Sequence, residues 1–400
     1  MTRPPTLTPT LTAAPDTSAD ASALRAARRR DRRVYTRSHP VLFALLAATR
    51  RRAVTRIGGA VLVHGTEPYR QALTRVPLDR TAAGTTGGAA RELSAGGALS
   101  GGTLFDQEGT GHRATRRAVA DELGAAGVER LRPVWQDVLA RRLAPLAEGR
   151  GIDLVPLARE LAGATVCALL ETTRDPQAVA AAAARAAAAA VRDHLPGPRL
   201  TGTARAAAAA TARLEALLAP AGGPGAAADT ALRAMLAVAA VNTTVAALPR
   251  AAAWCADAGL WDQAADDRLR PALVDELLRV IAPSPLLPRV AAADAELDGC
   301  PVRAGDRLIL VARHAARAHS EPPDARRPAP PTMARLVFGA GSHACPGARL
   351  ARAQLDDTLA ALAPHRPTVR HARADRGAAL PGWRSLTVRA TAVRCSPEDR

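Results

Sequence analysis

The strongest signal in the sequence lies in the stretch Phe338-Gly339-Ala340-Gly341-Ser342-His343-Ala344-Cys345-Pro346-Gly347-Ala348-Arg349-Leu350-Ala351. It predicts a glycine-rich loop leading into a helix, with Cys345 at the N-cap and Pro346 at the first helical position, where no N–H is required. The positive end and free N–H groups of such a helix favour the thiolate form of the cysteine. A thiolate held there is a strong ligand for a soft or borderline metal, and the glycines let a large flat group approach the backbone. The alternative interpretation is a small buried cysteine without chemical function.

The rest of the chain is predicted to be mainly helical. Alanine supplies most of the apolar residues, and alanine loses no side-chain entropy on entering a helix. Helical patterns cover residues 112–123, 127–147, 154–171, 176–193, 202–219, 226–248, 250–256, 270–281 and 348–363. Strand patterns are short and occupy residues 56–64, 287–292, 295–298, 301–304, 306–311 and parts of 366–394. The predicted fold class is therefore mainly α with small β-sheets.

The chain is predicted to have one domain and a tail. Residues 1–33, rich in Thr, Pro and Arg, have the composition of a disordered tail. The arginine run from Arg28 to Arg33 fits either a solvated helix face or an interaction arm. Residues 34–396 are predicted to form a single domain, because no repeat or linker divides them.

The charge of the chain does not by itself indicate nucleic-acid binding. The net charge is +17, and the 54 basic residues include no lysine. Such a bias, together with abundant Ala, Gly and Pro, is typical of a GC-rich genome. Base stacking requires aromatic side chains, which make up only 2% of the residues. We therefore expect no nucleic-acid partner.

Cysteine spacing and hydropathy suggest a cytoplasmic protein. The five cysteines include no C-x-x-C pair, which argues against a disulfide framework and a structural zinc site. No apolar run reaches the length of a membrane span, since residues 40–49 are only about half as long. The N-terminus lacks the apolar core of a signal peptide. We expect a cytoplasmic location and no membrane contact.

The stretch 338–351 resembles the haem-binding signature of the cytochrome P450 family, F-x-x-G-x-H/R-x-C-x-G-x-x-L-A. The matching positions are Phe338, Gly341, His343, Cys345, Gly347, Leu350 and Ala351. The resemblance extends over roughly residues 35 to 395 and implies the cytochrome P450 fold, in which haem lies between an oxygen-activating helix and the cysteine loop. It implies haem b (iron protoporphyrin IX) as cofactor, Cys345 as the iron ligand, and Phe338 and Gly347 as cofactor-binding residues.

Further positions match the family outside this loop. Glu276-Leu277-Leu278-Arg279 matches its E-x-x-R helix, and the resemblance implies Arg326 or Arg327 as the third member of that network. Four cationic residues match its propionate-binding positions. They are His112, Arg116, Arg289 and His343. Arginine is suited to the two carboxylates of haem because it binds them bidentately. The alternative for each residue is a surface cation.

The oxygen-activating helix departs from the family pattern A/G-G-x-D/E-T-T/S. This sequence has Ala239-Ala240-Val241-Asn242-Thr243-Thr244. Thr243 is retained as a candidate catalytic residue, but Asn242 replaces the usual acid and cannot titrate. Asn242 is the only asparagine in the chain, which favours a functional role over neutral drift. We therefore expect proton delivery to be weakened or rerouted through water, substrate or peroxide.

The resemblance implies a monooxygenase that tailors a small-molecule or peptide natural product in secondary metabolism. Dioxygen would be the oxidant, and electrons would come from a ferredoxin with its reductase, or from a flavodoxin. Substrate would be contacted by residues 77–111, the helices near 178–219, and residues near Ala239 and Leu286. One alternative is a haem-thiolate enzyme that uses peroxide or couples radicals, because of Asn242. A more remote alternative is a non-catalytic haem or nucleic-acid binding protein.

Overall fold

The computed structural model describes residues 17–85, 109–194, 202–219 and 226–391. Most of these residues are helical, as predicted. The helices are α1 (Thr17–Ser38), α2 (Pro40–Thr49), α3 (Thr66–Thr74), α4 (Gly109–Glu122), α5 (Ala125–Ala147), α6 (Leu154–Leu169), α7 (Pro176–His194), α8 (Thr203–Leu218), α9 (Ala226–Ala258), α10 (Trp261–Ala265), α11 (Arg270–Ile281), α12 (Ala312–Ala315), α13 (Pro331–Ala334) and α14 (Ala348–Leu362).

The sheets are small and lie at the sides of the helical body. Their strands are β1 (Val54–Ile57), β2 (Ala60–Val63), β3 (Leu78–Asp79), β4 (Gly151–Asp153), β5 (Leu286–Ala291), β6 (Ala295–Leu297), β7 (Cys300–Val302), β8 (Arg307–Val311), β9 (Thr368–Ala374) and β10 (Trp383–Arg389). One sheet has the strand order β1-β2-β8-β5-β3, a second has β4-β10-β9, and β6 pairs with β7. In the first sheet, β2 and β8 run parallel although about 240 residues separate them, which brings the two halves of the chain together.

Helix α9 is the central element. It packs against α6, α7 and α1, and its residues Ala237, Ala251 and Trp254 are fully buried. Separate helices were predicted at residues 226–248 and 250–256, but one helix continues through Pro249. Packing on several sides therefore outweighs the local cost of proline in a helix.

The same helix also corrects the expectation that no segment is long and apolar enough to span a membrane. Residues Asp229–Ala258 meet that length and composition. An uninterrupted apolar run is absent because Asn242 and the threonines after it break the pattern. Since α9 packs against several helices and carries buried side chains, its apolar composition is that of a core helix.

The predicted disordered tail is wrong for residues 17–33, because they belong to α1. Asp31 on this helix is buried and accepts hydrogen bonds from Arg250 at 2.7 Å and Arg313 at 2.8 Å. The two guanidinium groups also lie over the ring of Tyr35, at 4.7 and 4.2 Å from its centroid. Burial raises the pKa of Asp31, but the charges of the two arginines outweigh it and hold the pKa below its ordinary value. Residues 1–16 lie outside the described residues.

The E-x-x-R pair forms as expected, but its third member differs. Arg279 donates to Glu276 at 2.8 and 2.6 Å, and both side chains are buried. Of the expected partners, Arg327 donates to Asp324 with its side chain, and Arg326 donates to Asp324 with its backbone N–H. Glu276 accepts from backbone N–H groups of the same loop, that of Ala329 at 3.0 Å among them. Backbone N–H groups of this loop therefore contact Glu276 where an arginine side chain was expected, and the Arg327 side chain is exposed to solvent.

Candidate haem site

The loop that carries Cys345 is held by its own backbone. The Cys345 N–H donates to the carbonyl oxygen of Phe338 at 2.7 Å. Gly339 and Gly341 have φ angles of 76° and 71°, in the left-handed region that side chains disfavour. The side chain of Phe338 packs against the main hydrophobic core. This geometry fixes the direction in which the cysteine is presented.

The predicted N-cap position of Cys345 is wrong by two residues. Helix α14 begins at Ala348, and Gly347 is its N-cap. Burial raises the pKa of the Cys345 thiol, and the Gly347 N–H, which donates to the sulfur, acts in the opposite direction. The N–H group that contacts the sulfur therefore belongs to the N-cap residue, whereas the first turn of the helix was expected to supply it.

The sulfur of Cys345 is accessible although the protein surrounds it. The side chain is exposed, yet burial by neighbouring atoms raises the pKa of the thiol, opposed by the Gly347 N–H and by the charge of Arg116. The other cysteines of the described residues are less accessible, and burial raises the pKa of the Cys167 thiol to about 11. Among the cysteines of the described residues, Cys345 is the one that is exposed.

The four predicted propionate residues come together beside this loop. His112 and Arg116 lie on α4, and the His112 ring stacks on that of His343 with centroids 4.1 Å apart. Arg116 donates to the carbonyl oxygen of Ala344 at 2.5 Å. Arg289 lies on β5 and is half-buried. Residues far apart in sequence thus form one cationic cluster next to Cys345.

Arg80 belongs to the same cluster, although no motif indicated it. Burial, and then the charges of Arg80, His112, Arg289 and Arg116, lower the pKa of His343 to about 3. Burial, followed by the charge of Arg80, likewise lowers the pKa of Arg289 to about 10. Like charges are thus concentrated in a partly buried place, an arrangement that bound anionic groups stabilise.

Thr243 and Asn242 both bond within α9. The Thr243 hydroxyl donates to the carbonyl oxygen of Ala239 at 2.7 Å, one turn earlier in the helix. The Asn242 amide donates to Val238 O at 2.7 Å and reaches Ala183 O of α7 at 3.5 Å. Asn242 therefore connects two helices through donors that an ionised aspartate lacks.

A buried polar chain links α9 to the cysteine helix and was not predicted. The Thr244 hydroxyl donates to Gln354 Oε1 on α14 at 3.4 Å, and Gln354 Nε2 donates to Thr165 on α6 at 2.9 Å. All three side chains are buried. The two residues preceding Thr244 carry the candidate chemistry, so this chain of hydrogen bonds sets their position relative to the helix that follows Cys345.

Of the residues expected to contact substrate, 86–108 lie outside the described residues.

Comparisons with known proteins agree on one family. Residues 261–362 match the family model for cytochrome P450. A 20-oxo-5-O-mycaminosyltylactone 23-monooxygenase of Streptomyces fradiae is 40% identical over 107 residues, and a vitamin D3 dihydroxylase of Streptomyces griseolus is 41% identical over 109 residues. These matches cover 26% of this chain and only 25% and 27% of the two relatives.

The likeness in fold extends much further than the likeness in sequence. A mutant of P450 EryK in complex with erythromycin B has a TM-score of 0.70 at 22% identity, covering 89% of this chain and 98% of the other. P450BioI in complex with an acyl carrier protein that carries hexadec-9-enoic acid also has a TM-score of 0.70, at 18% identity and 89% and 99% coverage. The fold is that of the cytochromes P450, as predicted. The family match in sequence is confined to residues 261–362.

The residues of the site fit the haem iron cofactor that this family implies. Cys345 supplies an accessible sulfur that accepts from the Gly347 N–H and lies near the charge of Arg116, although burial raises the pKa of its thiol. Arg80, Arg116 and Arg289 supply the positive charge that two carboxylates require, and the stacked imidazoles of His112 and His343 lie beside them. A soft ligand beside an anion-binding cluster is the donor set expected for an iron porphyrin.

Proposed function

We propose that this protein is a haem-thiolate monooxygenase that oxidises a small-molecule or peptide natural product. The observation that carries the proposal is the accessible Cys345 sulfur, placed beside a cluster of three arginines and two histidines. Haem b is the proposed cofactor, because the protein offers positive charge that would bind its carboxylates and one sulfur that would bind its iron. When bound, it supplies the activation of dioxygen, and a thiolate ligand favours O–O cleavage.

The protein residues bind, orient and hold protons around that group. Cys345 is the proposed metal ligand, and Phe338 and Gly347 fix its direction and charge through their backbone. Arg116, Arg289 and their neighbours are the proposed propionate ligands. Thr243 holds its hydroxyl proton on Ala239 O and is the proposed hydrogen-bonding residue next to the oxygen site. The protein thus supplies orientation and electrostatics for cofactor chemistry.

Substrate class and partners rest on analogy with relatives. The names of two relatives refer to a macrolide precursor and to vitamin D3, and one structural neighbour binds erythromycin B. A polycyclic or macrocyclic product of secondary metabolism is therefore the proposed substrate. Ferredoxin with its reductase, or a flavodoxin, is the proposed electron donor, and the cytoplasm is the proposed location.

The test is reconstitution with ferredoxin, ferredoxin reductase and NADPH, using a panel of macrolides and sterols. Substrate-dependent NADPH consumption with an oxygenated product is expected. Cys345→Ala should abolish turnover, whereas the matched variant Cys300→Ala, on strand β7, should retain it. Equal turnover by both variants would overturn the proposal.

Asn242 supports a second candidate function, which is oxidation with peroxide or oxidative coupling without oxygen insertion. Its amide donates to Val238 O and Ala183 O. An amide does not titrate, so Asn242 lacks the exchangeable proton of the acid found in the family. Peroxide-supported turnover without redox partners would favour this candidate. Asn242→Asp should then raise the fraction of NADPH electrons recovered in product. If coupling and rate are unchanged by Asn242→Asp, the residue has no part in proton delivery.

A further inference from the structure

Helix α2 presents an apolar stripe to solvent. Val41, Ala44, Leu45 and Ala48 are all exposed, with Val41 82% and Leu45 46% accessible. Their spacing places them on one face of the helix. Among the described residues the exposed large hydrophobics are Val41, Leu45 and Ile57, so two of the three lie on this stripe.

The opposite face of α2 is firmly packed. Leu46 is buried with Leu62 of β2 and Val311 of β8, and Leu42 and Phe43 pack against the same cluster. The helix is therefore held on the sheet, and the stripe is a fixed ridge on the surface.

Positive charge surrounds this ridge. Residues 32–66 contain seven arginines and no Asp or Glu. Arg50, Arg51 and Arg52 are exposed directly after the helix, and Arg33 and Arg37 are exposed on α1 before it. The surface thus combines aliphatic side chains with exposed guanidinium groups.

We propose that this face of α2 is a docking surface for an anionic lipid bilayer. Aliphatic side chains on a convex ridge can enter the boundary between headgroups and acyl chains, while the arginines contact lipid phosphates. A second copy of the chain is disfavoured, because a two-fold contact would place both arginine clusters against each other. The proposal departs from the expectation of no membrane contact, and it concerns surface attachment without a spanning helix.

The first experiment places a fluorescent probe on the ridge of the full-length holoprotein. The native tryptophans Trp135, Trp254, Trp261 and Trp383 are buried. Leu45→Trp should therefore give new red-shifted emission in buffer, which shifts to the blue on addition of phosphatidylglycerol vesicles and is quenched by brominated acyl chains. Blue-shifted emission without vesicles would show that the chain itself covers the ridge. Emission that does not change on addition of vesicles would also overturn the proposal. It would leave an acidic protein as the candidate occupant of the ridge.

The second experiment separates apolar docking from general charge attraction, using sedimentation with the same vesicles. Val41→Ser with Leu45→Ser leaves the charge unchanged and should weaken binding about tenfold. The control Ile57→Ser, away from the stripe, should bind like the wild type. Equal loss in both would overturn the proposal.

Charge is tested by a matched pair of triple variants. Arg50→Gln, Arg51→Gln and Arg52→Gln together should weaken vesicle binding by about fivefold for each arginine removed. The control changes three exposed arginines of α7 and α8 to Gln, with the same loss of charge; they are Arg185, Arg205 and Arg213. Equal weakening by the two triple variants would show binding through net charge alone and would contradict a specific surface.

Discussion

Replacing Glu276 with Gln tests how much the buried Glu276–Arg279 ion pair contributes to the free energy of unfolding. The Glu276 carboxylate accepts from Arg279 at 2.8 and 2.6 Å, from the Ala329 N–H at 3.0 Å and from the Asp324 N–H at 3.4 Å. The Glu276 and Arg279 side chains are 2% and 1% exposed. Gln keeps the shape but removes one acceptor oxygen and the countercharge. Removing one partner of a buried pair costs about 3–5 kcal/mol.

The remaining contacts of Arg279 place the expected loss at the lower end of that range. Arg279 also donates to Ala316 O at 2.9 Å, and this bond survives the substitution. We expect a loss of about 3 kcal/mol in the free energy of unfolding, measured by urea denaturation followed by circular dichroism. The control is Glu67→Gln, which breaks the exposed Glu67–Arg70 pair at the same i,i+3 spacing and should leave the urea midpoint nearly unchanged. Equal midpoints for Glu276→Gln and the control would refute the reasoning.

Three other outcomes follow from the described contacts. The ring nitrogens of His64 and His314 are hydrogen-bonded at 2.9 Å. Burial, and to a smaller extent nearby positive charge, lowers the pKa of His64 to about 4 and that of His314 to about 3. The free energy of unfolding should therefore fall as the pH drops from about 6.5 towards 4, because in this range only the unfolded chain takes up protons at these histidines. A flat denaturation midpoint across this range would contradict that. Asp31→Asn leaves two arginines without their countercharge and should destabilise the fold by about 3 kcal/mol, with early proteolysis of α1; an unchanged digestion pattern would refute it. Arg80→Ala should weaken haem retention about tenfold, measured by haem transfer to an acceptor protein, whereas the exposed Arg75→Ala should match wild type.

The elements that sequence predicted best are those specified by local pattern. The loop before α14 was predicted because glycine, cysteine and proline each have a backbone or chemical requirement at a fixed spacing. The helical ranges followed from alanine content, with ends that differ from the structure by a few residues. His112, Arg116, Arg289 and His343 were predicted through family resemblance, and the structure brings them together.

The features that sequence did not predict depend on contacts between distant residues. Arg80 follows a two-residue strand and has no motif of its own, so only the paired strands β3 and β5 reveal its place beside Arg289. Asp31 and Arg250 are 219 residues apart, which is why α1 was mistaken for part of a tail. Arg326 and Arg327 were expected at Glu276, but backbone N–H groups, which no sequence pattern marks, take that position.

The central claim is that Cys345 provides a thiolate ligand to haem iron, and the spectrum of the reduced, carbon monoxide-bound protein tests it most directly. Thiolate ligation is expected to shift the Soret band well to the red of the position that histidine ligation gives. The wild-type protein should show the red-shifted band, and Cys345→His should lose it while Cys300→Ala keeps it. A wild-type band at the position typical of histidine, or a red-shifted band in Cys345→His, would contradict the account.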